Sequence, residues 1–349
     1  MRSLLKKSLT ILFGIAVALL LAEGILHIYN PFSMRIKGNH FVLPANQSYH
    51  IPGIRIAGLD SEVVHNKNGL GFRGEAFPAE PEKRIKLFCL GGSTTECFYL
   101  SDGKDWPGRL ATRLQQDNPA WWVNNAGMDG HSTYGHILLL KEHVLKWKPD
   151  YVLFLIGCND VAAAGLNRFE TTGGKSSVWQ KSELATLYLN WRLSRQAEKK
   201  GMRHQPVDFS KAQTADTAKW WQVPEDNYTG EYVLRVKELI SLCKAAGAVP
   251  IFAAQPGMLA SETDKSTGRY MGNLAFLGQS ALHYRIQLDR YNTALKNTCR
   301  DHGVLCIETD RLMPVDSRLY YDFFHYNNAG CDTLASILFP YIRTLPKKN

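Results

Sequence analysis

The sequence predicts an α/β protein with a five-stranded parallel sheet and helices on both of its faces, preceded by an N-terminal transmembrane helix. Five short apolar runs, separated by helical patterns, predict the sheet. One of them, Tyr151–Ile156, is continuously apolar, which is typical of a strand buried on both faces. A long apolar run near the N terminus predicts the transmembrane helix.

Residues 1–7 form a basic end that we expect in the cytoplasm, and residues 8–29 a signal anchor. The apolar run is just long enough to cross a bilayer as a helix. No Lys or Arg follows it until Arg35, so the positive-inside rule places the rest of the chain outside the cytoplasm. The alternative is a signal peptide cleaved after residues 20–22, which would give a secreted protein. Glu23 counts against both interpretations, because a carboxylate near the bilayer is costly unless it lies at the interface.

The remaining chain divides into an extension, a main domain and an insertion. Residues 30–82, rich in Pro, Gly and Asn, are predicted as an irregular extension packed on the domain. Strands and helices alternate regularly through residues 83–345, except in residues 163–225, which we interpret as an insertion over the active-site crevice. The predicted strands are 85–90, 151–156, 249–254 and 304–307, and residues 121–127 are predicted as a strand and the turn that follows it. One helix is predicted to begin at Ser93. The other predicted helices cover 106–114, 137–144, 231–246, 285–302 and 334–342.

Composition limits the function classes. The chain has 349 residues, of which 45% are hydrophobic and 21% charged, and this is typical of a folded globular protein. Its net charge of +9 would suit an anionic partner, but it has no basic stripe interleaved with aromatic residues and no zinc-finger spacing. We therefore predict no nucleic-acid partner. The basic run at 192–203 is interpreted as a solvated helix face, with contact to headgroups or an acidic polymer as the alternative.

The seven cysteines are scattered, without a CxxC pair or metal-ligand spacing, so no metal site is predicted. Cys89 and Cys158 lie in or beside predicted strands and are expected to behave as small hydrophobic residues. Cys299 and Cys306 are close in sequence. They are either a disulfide formed in an oxidising compartment or two unrelated core cysteines.

Polar residues follow the predicted strands, at the edge where open α/β sheets bind ligands. Ser93 follows two glycines at a strand-to-helix turn, where backbone N–H groups can stabilise negative charge. Asn159 follows Tyr151–Ile156, so its amide is expected to point into the crevice, and Gly130 can bring a bare N–H close to a substrate. The simpler interpretations are helix caps for Ser93 and Asn159 and an ordinary turn for Gly130.

Asp322 and His325 complete what a serine nucleophile requires. They are three residues apart in a segment that enters a helix, so the carboxylate can reach the imidazole Nδ1–H. The Nε2 atom would then be free to take the Ser93 proton. A DxxH pair alone is common in loops, but the shared position of these motifs behind strands favours chemistry over capping.

Four blocks occur in order: Gly91-Gly92-Ser93-Thr94, Asn125-Ala126-Gly127 with Gly130, Gly157-Cys158-Asn159-Asp160 and Asp322-Phe323-Phe324-His325. From about residue 86 to the C-terminal helix, the chain resembles the SGNH/GDSL hydrolase superfamily. The resemblance implies a flavodoxin-like three-layer sandwich and a Ser93–His325–Asp322 triad. It also implies an oxyanion hole formed by the Ser93 and Gly130 N–H groups and the Asn159 amide, and no metal or organic cofactor.

Two residues depart from the superfamily pattern. Gly92 stands where the name GDSL implies Asp, and His131 stands where an acidic or polar residue is often found. There is no GxSxG elbow, which disfavours the α/β-hydrolase fold, and no GxxxxGK[ST] loop, so the glycine pair is not a nucleotide cradle.

The predicted function is a serine esterase that hydrolyses or transfers acyl groups. The expected substrate is an acylated small molecule or polysaccharide, with O-acetyl esters on an envelope or extracellular carbohydrate favoured by the resemblance and the exported location. The membrane is a partner through the N-terminal helix. The alternatives are a lipid esterase or thioesterase of the same fold and a catalytically silent carbohydrate-binding or assembly protein.

Overall fold

The computed structural model describes residues 2–28, 36–37, 40–163, 182–199, 204, 206–215, 228–276 and 279–346. The chain forms two compact units. The first contains Met1–Pro44 and Thr171–Arg203, and the second contains Ala45–Glu170 and His204–Asn349. All of the candidate site residues belong to the second unit.

The first unit contains an N-terminal apolar helix, α1 (Arg2–Ile28). Its stretch Lys6–Ile28 is long and apolar enough to cross a membrane, by length and composition. A short antiparallel hairpin follows, formed by β1 (Ile36–Lys37) and β2 (His40–Phe41). The structure therefore confirms an N-terminal apolar helix of membrane-spanning length.

Glu23, a charged residue in this otherwise apolar stretch, makes hydrogen bonds within the first unit. Its carboxylate accepts hydrogen bonds from the Ser182 hydroxyl at 2.9 Å and from the N–H groups of Glu183 at 2.6 Å and Leu184 at 3.1 Å. These groups lie at the start of α6 (Glu183–Lys199). Unpaired N–H groups at a helix start favour a negative charge, so Glu23 acts as the cap of α6.

The second unit contains a central sheet and two small antiparallel pairs. Its strands are β3 (Ser48–Pro52), β4 (Glu62–Asn66), β5 (Arg73–Gly74), β6 (Ile85–Gly91), β7 (Trp121–Asn125), β8 (Tyr151–Ile156), β9 (Val249–Ala254), β10 (Ala275–Phe276), β11 (Gln279–Ser280) and β12 (Leu305–Ile307). Its α-helices are α2 (Ser93–Glu96), α3 (Trp106–Asp117), α4 (Thr133–Leu139), α5 (Cys158–Ala163), α7 (Thr229–Ala245), α8 (Ala281–Asp301), α9 (Thr309–Leu312) and α10 (Asn328–Ile342). Short 3-10 turns lie at Pro81–Lys83, Leu145–Trp147, Met271–Asn273 and Ser317–Leu319, and a π-helical turn at Leu140–Val144 extends α4.

The strand order of the central sheet is β12-β9-β8-β6-β7-β5. The five strands from β12 to β7 are parallel, as predicted, and in chain order they follow the 2-1-3-4-5 pattern of flavodoxin-like folds. The predicted fold class is therefore confirmed. β5 is an additional edge strand that pairs antiparallel with β7.

Helices flank the sheet and bury its side chains. α3 packs with α10 and β7, whereas α7 packs with α4, α8 and β9. All six residues of β8 are buried, as their continuous apolar sequence predicts. Leu87, Phe154 and Ile251, on three neighbouring strands, are fully buried, and each such side chain stabilises the fold by about 1.5–3 kcal/mol.

The predicted extension is more regular than its composition indicates. β3 and β4 pair antiparallel from Ser48↔Asn66 to Pro52↔Glu62, and the buried Val63 and Phe72 pack the segment into the second unit. The irregular interpretation of residues 30–82 was wrong here, because a five-residue alternation that includes a buried histidine gives a weak strand pattern.

The predicted insertion lies partly outside the described residues. Of residues 163–225 the structure describes Ala163, 182–199, 204 and 206–215, and α6 belongs to the first unit. His204 and residues 206–215 belong to the second unit, where the Val207 N–H donates to the Tyr321 carbonyl at 2.8 Å. This described part thus reaches the segment that carries Asp322. The proposed cover of the crevice by the remainder stays a prediction.

All seven cysteines are free thiols. Cys89 and Cys158 are buried among apolar residues, as expected, and burial raises the pKa of the Cys158 thiol to about 12. Cys299 and Cys306 are not joined, which favours the second of the two interpretations.

Candidate active site

The serine turn requires glycine for close packing. Ser93 is the first residue of α2, directly behind β6. A Cβ atom at Gly91 would lie 2.6 Å from the Leu155 carbonyl oxygen, and one at Gly92 would lie 2.2 Å from Asn159 Nδ2. A real side chain tolerates neither distance. The glycine at position 92 therefore creates the space in which the Asn159 amide sits beside the serine turn.

The structure brings Ser93, His325 and Asp322 into one hydrogen-bonded line. Ser93 Oγ lies 2.7 Å from His325 Nε2, and His325 Nδ1 lies 2.7 Å from Asp322 Oδ2. Because the carboxylate can only accept while it is ionised, Nδ1 carries the ring proton and Nε2 accepts the Ser93 hydroxyl proton. This is the geometry of a nucleophile, a base and an orienting group.

Asp322 also shapes its own turn. Its Oδ1 accepts the N–H groups of Phe324 at 2.9 Å and His325 at 2.8 Å, so one carboxylate fixes both the backbone and the imidazole. Burial raises the pKa of Asp322, but the electrostatic attraction of the His325 ring and the hydrogen bonds from His325 and Phe324 outweigh burial. The pKa of Asp322 therefore lies below its ordinary value, and the group stays ionised at neutral pH.

The candidate oxyanion donors lie around the same turn. Asn159 Nδ2 donates to the His131 carbonyl at 2.8 Å, which leaves the second N–H of this amide for another acceptor. Gly130 is exposed and has φ +75°, a left-handed conformation that favours glycine. The structure thus places Asn159 against the serine turn and Gly130 in the adjoining loop after β7.

A buried ion pair, missed by the sequence analysis, connects the serine turn to the Gly130 loop. Glu96 of α2 is paired with Lys67 at 3.1 Å, and both side chains are buried. The other carboxylate oxygen of Glu96 accepts the Asp129 N–H at 2.5 Å. The residue before Gly130 is therefore held by the helix that begins at Ser93. Glu96 lies three residues after Ser93, just past the first block, but nothing in the local sequence indicates its partners.

Arg73 of β5, which was also missed, holds the loop after α2. Its guanidinium is fully buried and donates to the carbonyl oxygens of Glu96, Cys97, Leu100 and Ser101 at 2.8–3.1 Å. It also lies 3.4 Å from the buried Asp105 carboxylate. One charged side chain thus binds four carbonyls of this loop, of which those of Cys97 and Ser101 also accept a backbone N–H.

A second histidine lies against the triad. The rings of His204 and His325 stack with centroids 3.9 Å apart. Among the described residues, ligand atoms of His204, Asp322 and His325 lie within 4.8 Å of one another. Nitrogen lone pairs lie in the ring plane, so two stacked imidazoles do not converge on one ion, and both nitrogens of His325 already have partners. This arrangement suits proton transfer better than metal binding.

Comparison with known proteins gives one family match. The model of the GDSL-like Lipase/Acylhydrolase family matches residues 89–332. These residues include all four blocks identified in the sequence. None of the curated proteins matches the chain.

Three solved structures illustrate the remote structural likeness. An acetylxylan esterase from Geobacillus stearothermophilus is 16% identical, with 76% of this chain and 96% of that chain covered and a TM-score of 0.47. An α/β-hydrolase enzyme from the metagenome of Lake Arreo, Spain, is 17% identical, with 73% and 94% covered and a TM-score of 0.44. A protein of the G-D-S-L family from Desulfitobacterium hafniense, described as lipolytic, is 10% identical, with 74% and 100% covered and a TM-score of 0.44.

Proposed function

The chain belongs to the GDSL-like lipase/acylhydrolase family, whose members are ester-hydrolysing serine hydrolases, and we propose that Ser93, His325 and Asp322 are its catalytic triad. The observation that carries this proposal is the continuous line of two 2.7 Å contacts from Ser93 Oγ through His325 to Asp322. A helix cap would not require a base on its hydroxyl.

Acyl transfer would proceed in two steps. The Ser93 hydroxyl gives its proton to His325 Nε2 as Oγ attacks the ester carbonyl carbon, and His325 then protonates the leaving alkoxide. Water, activated by the same base, releases the acid from the acyl-enzyme. An acceptor hydroxyl in place of water would make the same site an acyltransferase.

The oxyanion of each tetrahedral intermediate would be stabilised by three donors: the N–H groups of Ser93 and Gly130 and the second N–H of the Asn159 amide. Donors that are already fixed in position stabilise the oxyanion without having to reorient as its charge develops. The glycine at 92, the Glu96 contact to Asp129 and the His131 carbonyl supply that fixation.

We propose an O-acetyl ester on an extracellular or envelope carbohydrate as substrate. Ser93 is only 7% exposed, and the His325 side chain is 16% exposed, which suits a short acyl group better than a long chain. The alternative, a lipid ester or thioester, requires room for an extended acyl chain at the same serine.

The test is hydrolysis of p-nitrophenyl esters by the full chain in a mild detergent. Ser93→Ala should lower kcat for the acetate ester about a thousandfold or more, whereas Ser336→Ala, an exposed serine of α10, should leave it unchanged. Unchanged turnover in Ser93→Ala would overturn the triad. If kcat/KM were higher for p-nitrophenyl decanoate than for p-nitrophenyl acetate, the proposed substrate would be a lipid ester and not a carbohydrate O-acetyl ester.

We further propose that α1 anchors the protein with the esterase domain outside the cytoplasm. Its apolar length and the positive charges of Lys6 and Lys7 at its start support this orientation. An alkaline phosphatase fused to the C terminus should be active and should sediment with membranes. Active phosphatase in the soluble fraction would instead indicate a cleaved signal peptide, and an inactive fusion would contradict export.

A further inference from the structure

His204 is not used by the proposed mechanism, although it touches the proposed base. Its ring stacks on His325 at 3.9 Å between centroids and 29° between planes, and its side chain is 12% exposed. It belongs to none of the four sequence blocks. A group in contact with the face of a general base affects both the position of that ring and the electrostatic cost of charging it.

The side chain of His204 lies between two segments of the site. Its Nδ1 lies 2.6 Å from the Tyr321 hydroxyl, and its Nε2 lies 3.6 Å from Asp129 Oδ1. Tyr321 directly precedes Asp322, and Asp129 directly precedes Gly130. His204 therefore connects the segment that carries the proposed acid and base with the loop that carries a proposed oxyanion donor.

The protons on this bridge can be assigned for the neutral ring. Burial raises the pKa of Tyr321 well above its ordinary value, so the phenol keeps its proton and donates it to Nδ1 of His204. The ring proton then lies on Nε2, which faces the Asp129 carboxylate. When His204 is protonated, both nitrogens are donors and the Tyr321 hydroxyl can no longer donate to it.

We propose that His204 is a positioning residue for the esterase reaction, and this rests on the proposed function of Ser93. Neutral His204 fixes the position of the His325 ring relative to the Asp129–Gly130 turn. Protonated His204 places a positive charge against the base and suppresses the reaction. The described part of the insertion thereby adds a second protonation to the pH dependence of the activity.

The surroundings of His204 favour its proton. The titratable groups that face it are Asp129 after β7, Glu96 of α2, Tyr99 after α2, and Tyr321, Asp322 and His325 before α10. Burial lowers the pKa of His204, but the hydrogen bond and charge of Asp129, followed by the charges of Asp322 and Glu96, outweigh burial and raise it above 6.5. His204 thus stays charged to a higher pH than an ordinary histidine.

The charge matters because His325 becomes an imidazolium when it takes the Ser93 proton. Two stacked cations repel each other, so the transition state is less favourable when His204 is protonated. We expect kcat/KM to fall at least about tenfold on protonation of His204, which corresponds to about 1.4 kcal/mol.

Two variants distinguish the contacts of His204 with Tyr321 and Asp129 from the protonation of its ring. His204→Gln keeps an acceptor for Tyr321 and a donor for Asp129 but does not titrate, and His204→Phe keeps a stacked ring but loses both hydrogen-bonding atoms. His302→Gln, an exposed histidine at the end of α8, is the matched control. The measurement is the pH dependence of kcat and kcat/KM for p-nitrophenyl acetate from pH 5 to 9, with the full chain in detergent.

The wild type and His302→Gln should lose kcat/KM over two protonations on the acid side, with a slope on a logarithmic plot that exceeds one. Both His204 variants should retain one protonation, with a slope of one. At pH 8, both variants should lower kcat: His204→Gln by about threefold, because it loses the stacked ring, and His204→Phe by about tenfold, because it loses both hydrogen-bonding atoms. Profiles of both variants that superimpose on the wild type would overturn the inference. If Ser93→Ala turned over the ester as fast as the wild type, that result would instead overturn the proposed function.

Discussion

Replacing Arg73 by methionine tests whether one buried cation holds the loop that follows the nucleophile. The guanidinium makes four hydrogen bonds to carbonyl oxygens and neutralises the buried Asp105. Hydrogen bonds from a charged donor contribute about 1.5 kcal/mol each, about 6 kcal/mol in total. The buried methionine side chain regains about 2 kcal/mol of apolar burial. We therefore expect a loss of about 4 kcal/mol in the free energy of unfolding.

For a domain of this size, such a loss corresponds to a decrease in Tm of roughly 8–16 °C. The assay is thermal unfolding of the full chain in detergent, followed by near-UV circular dichroism. Arg55→Met, which removes an exposed arginine of the same segment, is the control and should change Tm by less than about 2 °C. A loss below about 1 kcal/mol for Arg73→Met, or equal losses for both variants, would refute the calculation.

Three further substitutions have defined outcomes. Asn159→Ala should lower kcat about a hundredfold with little change in KM, and an unchanged kcat would return Asn159 to a capping role. Gly92→Ala should also lower kcat, because its Cβ would displace the amide 2.2 Å away, and full activity would contradict that packing. Burial, with a further contribution from the positive charges of Arg73 and Lys67, lowers the pKa of His65 to about 3. Since the unfolded chain then binds more protons between pH 3 and 6.5, His65 costs stability as pH falls, by up to about 1.4 kcal/mol per pH unit. His65→Phe should flatten the loss of Tm from pH 6.5 to 4, and an unchanged slope would contradict this linkage.

Much of the architecture could be predicted because its signals are local. An apolar run such as Tyr151–Ile156 identifies a buried strand without knowledge of its neighbours, and the polar residue behind it marks the active edge of the sheet. The same reasoning selected Ser93, the residue after Gly92, and Asn159, whose amide the structure places against Gly92.

The supporting residues could not be predicted because each depends on a distant partner. β5 contains two residues, too few for any periodicity, yet it carries Arg73. Lys67 and Glu96 are 29 residues apart, and neither has a neighbour in sequence that indicates a buried pair. His204 lies in a stretch without alternation, and only the fold brings it onto a ring 121 positions later. Blocks of sequence thus identify the reacting groups, whereas long-range contacts determine how firmly they are held.

The central claim is that His325 activates Ser93. Covalent labelling by a fluorophosphonate, followed by peptide mapping with mass spectrometry, tests it most directly, because the probe reports the activated nucleophile without any assumption about the substrate. The wild type should be labelled at Ser93, and His325→Ala should react at least about a hundredfold more slowly. Labelling at another residue, or an undiminished rate in His325→Ala, would contradict the account.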